Sequence, residues 1–495
     1  MRAVRAQEWL LPIGLGAVAA LGQAPFDLWP LTVIALALAL ALLERIQTWQ
    51  RAARLGWLIG CGYFLLSMVW IVQPFFVDPW RHGWMAPFAL GFMAAGLAMF
   101  WALGFGLARR LGGPAMLIGT LTLAELLRAY LFTGFPWALI GHSLVDTPLA
   151  QMAWGVGAHG LSVLILIGAV GLRALWRRDW AVGGVIIAAL AGCWMWGQGR
   201  LNASAPLENR PVLRLVQPNA PQHQKWDPAY YPIFFQRQVA FTAAPAARRP
   251  DLILWPETAV PVLLEDGARV FQTIAEAAAG SPVVLGIQRY EGLSLYNSAV
   301  LLDGAGQLAQ VYDKHHLVPF GEYIPLGSLL SGWGLHGLAA ADGNGFAAGP
   351  GPVVMELGPL GRALPLICYE AVFPADAAAP GARPDFLMQL TNDAWFGMFS
   401  GPYQHLAQAR LRAIEQGLPM VRVANTGVSA MIDAQGQITA QIGLGQAGWV
   451  DAVLPPGNGP TLYARLTDWG IGAILLLVVL SAALLNHGKL RRETR

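Results

Sequence analysis

The chain is poor in charge and has almost no cysteine. Only 12% of its 495 residues are Asp, Glu, Lys or Arg, and three are Cys, at positions 61, 193 and 368. So few thiols exclude a disulfide-stapled fold. No Cys-x-x-Cys, His-Glu-x-x-His or Cys/His cluster at ligand spacing occurs, so the residues imply no metal and no cofactor. The net charge of +3 is small, and the basic residues sit in short patches between apolar runs, which argues against a nucleic-acid partner. The excess is in apolar residues, 55% of the chain, as expected of a membrane protein that also carries a water-soluble part.

Apolar runs near residues 9–22, 31–43, 56–73, 84–107, 114–131, 154–172, 181–197 and 468–486 read as about eight spans. The first two fall short of the roughly 20 residues a span needs. Basic residues fall in alternate connections and the tail: Arg45, Arg51 and Arg54, then Arg109 and Arg110, then Arg173, Arg177 and Arg178, then Lys489, Arg491 and Arg492. The positive-inside rule then puts both termini in the cytoplasm and residues 199–466 on the far side. The expected domains are a bundle of about seven spans over 1–198, an extracytoplasmic domain over 199–466, and a last helix with its tail over 467–495. Glu125 and Arg128, three apart in the fifth span, read as a mutually neutralising structural pair. The aromatic loop Phe132–Trp137 reads as an anchor at headgroup level.

From residue 200 the texture changes to short β-rich runs bounded by Gly, Pro, Asn or Asp. These are Val212–Gln217, Leu252–Trp255, Val283–Ile287, Ser298–Leu302, Ala309–Tyr312, Ala363–Ile367, Phe386–Leu390 and Met420–Ala424. Helical periodicity appears at Gly267–Ala279 and Tyr403–Gln416, so the part is α/β, with sheets flanked by helices.

The run Arg362–Ile367 stops abruptly at Cys368. A thiol there is either a packed small hydrophobe or a nucleophile delivered by a strand end. It is the one cysteine outside the apolar spans, and a lone thiol facing an oxidising compartment favours reactivity. Two other sequences place ionisable residues just after strand-like runs: Leu254-Trp255-Pro256-Glu257-Thr258, and Tyr312-Asp313-Lys314-His315-His316-Leu317-Val318-Pro319-Phe320-Gly321-Glu322. Alone, Glu257 reads as a carboxylate at a helix start and Lys314 as a solvated charge. Jointly with Cys368 they make a base, a cation and a nucleophile.

The ordered Glu257, Lys314 and Cys368, with Trp255-Pro256 ahead of the first, resemble the nitrilase or carbon–nitrogen hydrolase superfamily, which implies an αββα sandwich. The flanking spans, the Tyr312–Pro325 stretch, Ile367-Cys368-Tyr369-Glu370 and Thr391-Asn392-Asp393-Ala394-Trp395-Phe396-Gly397 resemble in particular the apolipoprotein N-acyltransferase family, over essentially the whole chain. By that resemblance Glu257 is the general base, Lys314 the cationic stabiliser and Cys368 the nucleophile. Glu322, Glu370 and Tyr369 are supporting residues, and Trp226 lies near the substrate. The implied reaction moves an acyl chain from a phospholipid to the amino group of diacylglyceryl-cysteine on an apolipoprotein. It implies a monomer in a bacterial inner membrane, with its catalytic domain periplasmic. A membrane-tethered amidase and a non-catalytic scaffold are the alternatives. The apolar segment Ile324–Gly343, with Leu329, Leu330 and Trp333, is expected to dip into the outer leaflet and gate acyl access, with Trp333 meeting substrate. His315 and His316 are expected to shape the pocket of Lys314.

Overall fold

Every apolar run singled out in the sequence is helical. The helices are Arg2–Ala20, Trp29–Glu44, Trp49–Ser67, Ala86–Leu111, Leu117–Tyr130, Ala153–Trp176, Trp180–Leu201 and Leu462–Glu493. The computed structural model describes residues 2–203, 207–325, 345–378 and 381–493. These helices belong to one of two units, Met1–Ala203 with Pro460–Arg495; the other is Ser204–Gly459.

The helices differ in length. Among the described residues, four helical stretches are long and apolar enough to cross a membrane: Pro79–Leu111, Pro148–Trp176, Trp180–Leu201 and Leu462–Asn486. A fifth results if Trp49–Ser67 and Val69–Phe76, bent by 48°, form one span. Glu8–Ala20 and Trp29–Glu44 are apolar but short. Leu117–Tyr130 has 14 residues, about 21 Å of helix against a hydrocarbon core of about 30 Å.

Glu125 and Arg128 are both buried, 4.0 Å apart. Glu125 also accepts from Ser162 Oγ at 2.9 Å and from Ile140 N at 3.3 Å. Arg128 Nη1 donates to the carbonyls of Phe135 and Trp137 at 2.6 and 2.8 Å. The pair therefore pins the aromatic loop in place. That loop departs from the expected anchor, because Trp137 is fully buried while Phe132 is exposed.

The second unit is built from two six-stranded sheets. The first holds β1 (Val212–Gln217), β2 (Leu252–Leu254), β3 (Val283–Glu291), β4 (Ser294–Leu302), β5 (Leu308–Asp313) and β12 (Gly448–Val453), in the order β12-β1-β2-β3-β4-β5. The second holds β6 (Met355–Glu356), β7 (Arg362–Ile367), β8 (Phe386–Thr391), β9 (Met420–Ala424), β10 (Ser429–Ile432) and β11 (Ile438–Ile442), in the order β11-β10-β9-β8-β7-β6. Each sheet has a parallel trio, β1-β2-β3 or β7-β8-β9, with antiparallel strands outside it. The central strands are buried on both faces, which is why they read as continuous apolar runs.

One core layer joins the two sheets, with Leu213, Leu215 and Leu254 from the first meeting Ile367, Met388 and Val423 from the second. The outer face of the first sheet packs Ile253, Leu285 and Val300 against Phe271 and Ile274 of the helix Ala268–Ala278. That of the second packs Leu364, Leu366 and Leu387 against Leu406, Ala409 and Ala413 of the helix Gly401–Gln416. The layers are helix, sheet, sheet, helix. At one sheet edge the first and last strands pair antiparallel, with Val212 opposite Val453.

Candidate active site

Three strand ends supply the ionisable residues. Glu257 is three residues beyond β2, Lys314 follows β5 directly, and Cys368 follows β7 directly. Gly286 of β3 makes room for the first of these. Its N–H donates to Pro256 O at 3.1 Å and its own carbonyl accepts from Ala259 N at 2.7 Å. A Cβ there would sit 2.4 Å from Thr258 N and 2.6 Å from Glu257 Cα, so only glycine lets the loop come this close.

Cys368 has φ +52°, in the left-handed region. Such a conformation costs a non-glycine residue about 1–3 kcal/mol and persists only where its surroundings hold it. Glu370 is part of that hold. One carboxylate oxygen accepts from Ile367 N at 2.6 Å, and the other from His315 N at 2.7 Å and Tyr312 Oη at 2.9 Å. The end of β7 is thereby tied to the end of β5, fixing Cys368 and Lys314 relative to each other.

Lys314 is 1% exposed. Its Nζ donates to Glu322 Oε1 at 2.8 Å and stands 3.8 Å from Glu257 Oε1. Asn297 Nδ2 donates to Glu257 Oε1 at 2.7 Å, and Val318 N donates to Glu322 Oε2 at 2.8 Å. Burial alone would discharge the lysine, but Glu322 and Glu257 outweigh it and push its pKa above the usual value. For Cys368 burial wins. Together with the Glu257 charge it pushes the thiol up, against the pull of Lys314 and a hydrogen bond with Thr391. The sulfur rests as a thiol, and a base is needed to activate it.

A second buried lysine escaped the sequence reading. Lys225 Nζ donates to Glu257 O at 3.1 Å and to Thr258 Oγ1 at 2.7 Å, clamping the glutamate's loop. Burial brings its pKa down to about 8, against the raising effects of Glu257 and Cys368. Trp226 lies beside it, the ammonium 5.2 Å from the indole. Both line a narrow cleft with Glu257, Tyr231, Phe234 and Phe235. The cleft thus brings Trp226 and Glu257 together, and adjacency to Trp226 was the signal for Lys225. Asn297, also unread, sits just ahead of a recognised strand run.

Tyr369 is buried, its ring edge-on to His316 and Phe373 at 5.6 and 4.9 Å. Trp333, Leu329, Leu330 and most of the segment expected to gate acyl access lie outside the described residues. His315 Nδ1 is 2.7 Å from Glu370 Oε1 and its Nε2 is 3.4 Å from Asp376 Oδ1. His316 Nδ1 is 2.9 Å from Asp376 Oδ2. Burial, which opposes charging, is outweighed by Asp376 and Glu370, so His315 is raised to about 10. A raised histidine contributes stability that is complete below its unfolded pKa, about 6.5, and lost as pH rises through about 10. The thermal midpoint of the wild type is expected to fall between pH 7 and 10, and to fall less in His315→Gln. Equal slopes by calorimetry would count against the pairing.

The layered sheets and their strand-end residues define a carbon–nitrogen hydrolase domain, and the family model for carbon–nitrogen hydrolases matches residues 213–458. The model for the apolipoprotein N-acyltransferase N-terminal domain matches residues 15–171. Apolipoprotein N-acyltransferase from Rhodopseudomonas palustris is 38% identical over 497 residues, covering 94% of this chain and 92% of its own. That from Caulobacter vibrioides is 39% identical over 506 residues, covering 96% and 94%. The chain belongs to the apolipoprotein N-acyltransferase family. A solved carbon–nitrogen hydrolase superfamily protein from Xanthomonas campestris aligns with 54% of this chain and 97% of its own at 22% identity, with a TM-score of 0.35.

Proposed function

We propose that the chain moves a fatty acyl group from a phospholipid, through a thioester on Cys368, to the N-terminal amine of diacylglyceryl-cysteine on an apolipoprotein. Family membership supports the overall transfer. The observation that carries the mechanism is Lys314, held as a cation 3.8 Å from Glu257 beside a thiol at a strand end.

Glu257 takes the Sγ proton, and the thiolate attacks the ester carbonyl. Lys314 and backbone N–H groups after Cys368 stabilise the tetrahedral oxyanion. Collapse expels the glycerol oxygen, which takes the proton back from Glu257, and the lysophospholipid leaves. The acceptor amine then attacks the thioester; Glu257 receives its proton and returns it to the departing sulfur. Two half-reactions on one sulfur give ping-pong kinetics. Glu322 and Glu370 hold Lys314 and Cys368, and Trp226 meets substrate at the cleft. The arginine pattern supports about eight crossings with both termini cytoplasmic and the catalytic domain on the far side, and the family reading puts it as a monomer in the inner membrane, facing the periplasm.

The test is to incubate the detergent-solubilised protein with a phospholipid labelled in its acyl chain, then add a diacylated lipopeptide. A hydroxylamine-labile label is expected on Cys368, absent in Cys368→Ala, and it should pass to the peptide amine. Label that forms but passes only to water would favour an amidase-like hydrolase.

A further inference from the structure

Five fully buried side chains lie beneath the nucleophile, and apart from the bond of Thr391 to the thiol this chemistry leaves them unused. Gln389 and Thr391 come from β8, Asp393 from the turn after it, His405 from the helix Gly401–Gln416 and Arg422 from β9; each is 0% exposed. Gln389 and His405 reach one atom, the main-chain oxygen of Cys368, and the other three brace them. Gln389 Nε2 lies 3.1 Å from that oxygen and 3.0 Å from His405 Nε2, which is itself 3.1 Å from the oxygen. Arg422 Nη1 donates to Gln389 Oε1 at 2.6 Å, so the amide can present only its NH2 group to Cys368 and His405. His405 Nδ1 is 2.9 Å from Asp393 Oδ1, and Asp393 also accepts from Arg422 and, at 2.9 Å, from Thr391 Oγ1.

One proton assignment satisfies the set. His405 carries its proton on Nδ1 and donates to Asp393, its Nε2 accepts one Gln389 N–H, and the second Gln389 N–H goes to the Cys368 oxygen. The opposite tautomer would set a bare Nδ1 against a carboxylate. The electrostatics agree: burial and the Arg422 charge push His405 down toward neutrality. For Asp393 the raising effect of burial is overcome, chiefly by Arg422, leaving it at about 2.

We propose that this chain of bonds, Asp393–His405–Gln389 with Arg422 as its brace, is a positioning device for the oxyanion site. It pulls the Cys368 carbonyl into the sheet. The Cys368–Tyr369 peptide is planar and trans, so its N–H points the opposite way from its C=O. Holding the oxygen down therefore aims the Tyr369 N–H at the face where the acyl oxyanion develops, and keeps Cys368 in its left-handed conformation. The inference rests on Cys368 being the acyl carrier.

The test compares two reactions of the same sulfur in the full-length protein. Acyl transfer from labelled phosphatidylethanolamine passes through an oxyanion, whereas alkylation by iodoacetamide, a displacement at saturated carbon, does not. Gln389→Met is expected to slow acyl-enzyme formation about 100-fold, the scale of losing one oxyanion donor, with donor KM and alkylation rate each within about threefold of wild type. His405→Asn, a milder change that leaves Gln389 in place, should show the same split at about tenfold, and serves if the first variant does not fold. Equal losses in both reactions would mean a merely structural role, and unchanged acylation would remove the relay altogether. If the wild type itself gains no label on Cys368, the acyl-carrier reading falls first and takes this inference with it.

Discussion

Lys314→Met is expected to lose acyl-enzyme formation by roughly 10³-fold or more, because the cation that opposes thiolate and oxyanion charge is gone. It should also destabilise the catalytic domain. The substitution leaves Glu257 and Glu322 buried around Asn297 with no ammonium between them. Breaking a buried pair from one side costs about 3–5 kcal/mol. Both effects are measurable on one preparation, by burst kinetics with a labelled acyl donor and by urea unfolding. A variant with normal stability and normal acylation would show that the 2.8 Å contact to Glu322 carries neither job.

Glu257→Gln separates the two. The amide still offers an oxygen to Asn297 Nδ2, so the fold should survive. What is lost is the proton acceptor, and acylation should fall about 10²–10⁴-fold. The residual rate carries its own signature. Burial holds Cys368 as a thiol, so without an internal base its thiolate must come from solution. The residual rate should then climb about tenfold per pH unit across the neutral range, the dependence of a group titrating far above the working pH. A flat profile for this variant would mean that another group takes the proton, and Lys225, which also bonds to this loop, would be the next to test.

Glu257, Lys314 and Cys368 were legible as a set because each follows a strand that reads clearly. Leu252–Leu254, Leu308–Asp313 and Arg362–Ile367 are apolar or alternating runs that end at a polar residue, and the helices Ala268–Ala278 and Gly401–Gln416 were visible by their period. Other elements gave no such signal. β6 is two residues long and exists only through its pairing with β7, while β12 mixes Trp449 and Asp451 at a sheet edge. The helix Tyr231–Thr242 begins Tyr-Pro and runs apolar without a clean stripe, so its sequence did not betray it. Lys225 lies in a polar run that gives no sign of burial; its partners Glu257 and Thr258 are more than 30 positions away.

Arg422 is different. An arginine in the middle of the apolar run Met420–Ala424 is itself a sign that a buried partner exists, though only folding reveals that the partners are Gln389 and Asp393. Span length was less legible, for a physical reason too. Apolarity can be read along the chain, but the fifth apolar run opens with the 3-10 turn Pro114–Met116 and leaves a 14-residue α-helix, and crossing depends on length.

The pairing of β12 with β1 also governs how the catalytic domain is carried. Val212 and Val453 lie opposite each other, so the polypeptide enters and leaves the domain side by side, at one end of one strand pair. Facing residues in an antiparallel pair are only about 5 Å apart. The domain thus begins and ends on a doubled stalk of two paired strands. A load drawn through both strands of that stalk would peel β1 from β12 one hydrogen bond at a time, leaving the sheet ends that hold Glu257, Lys314 and Cys368 until later.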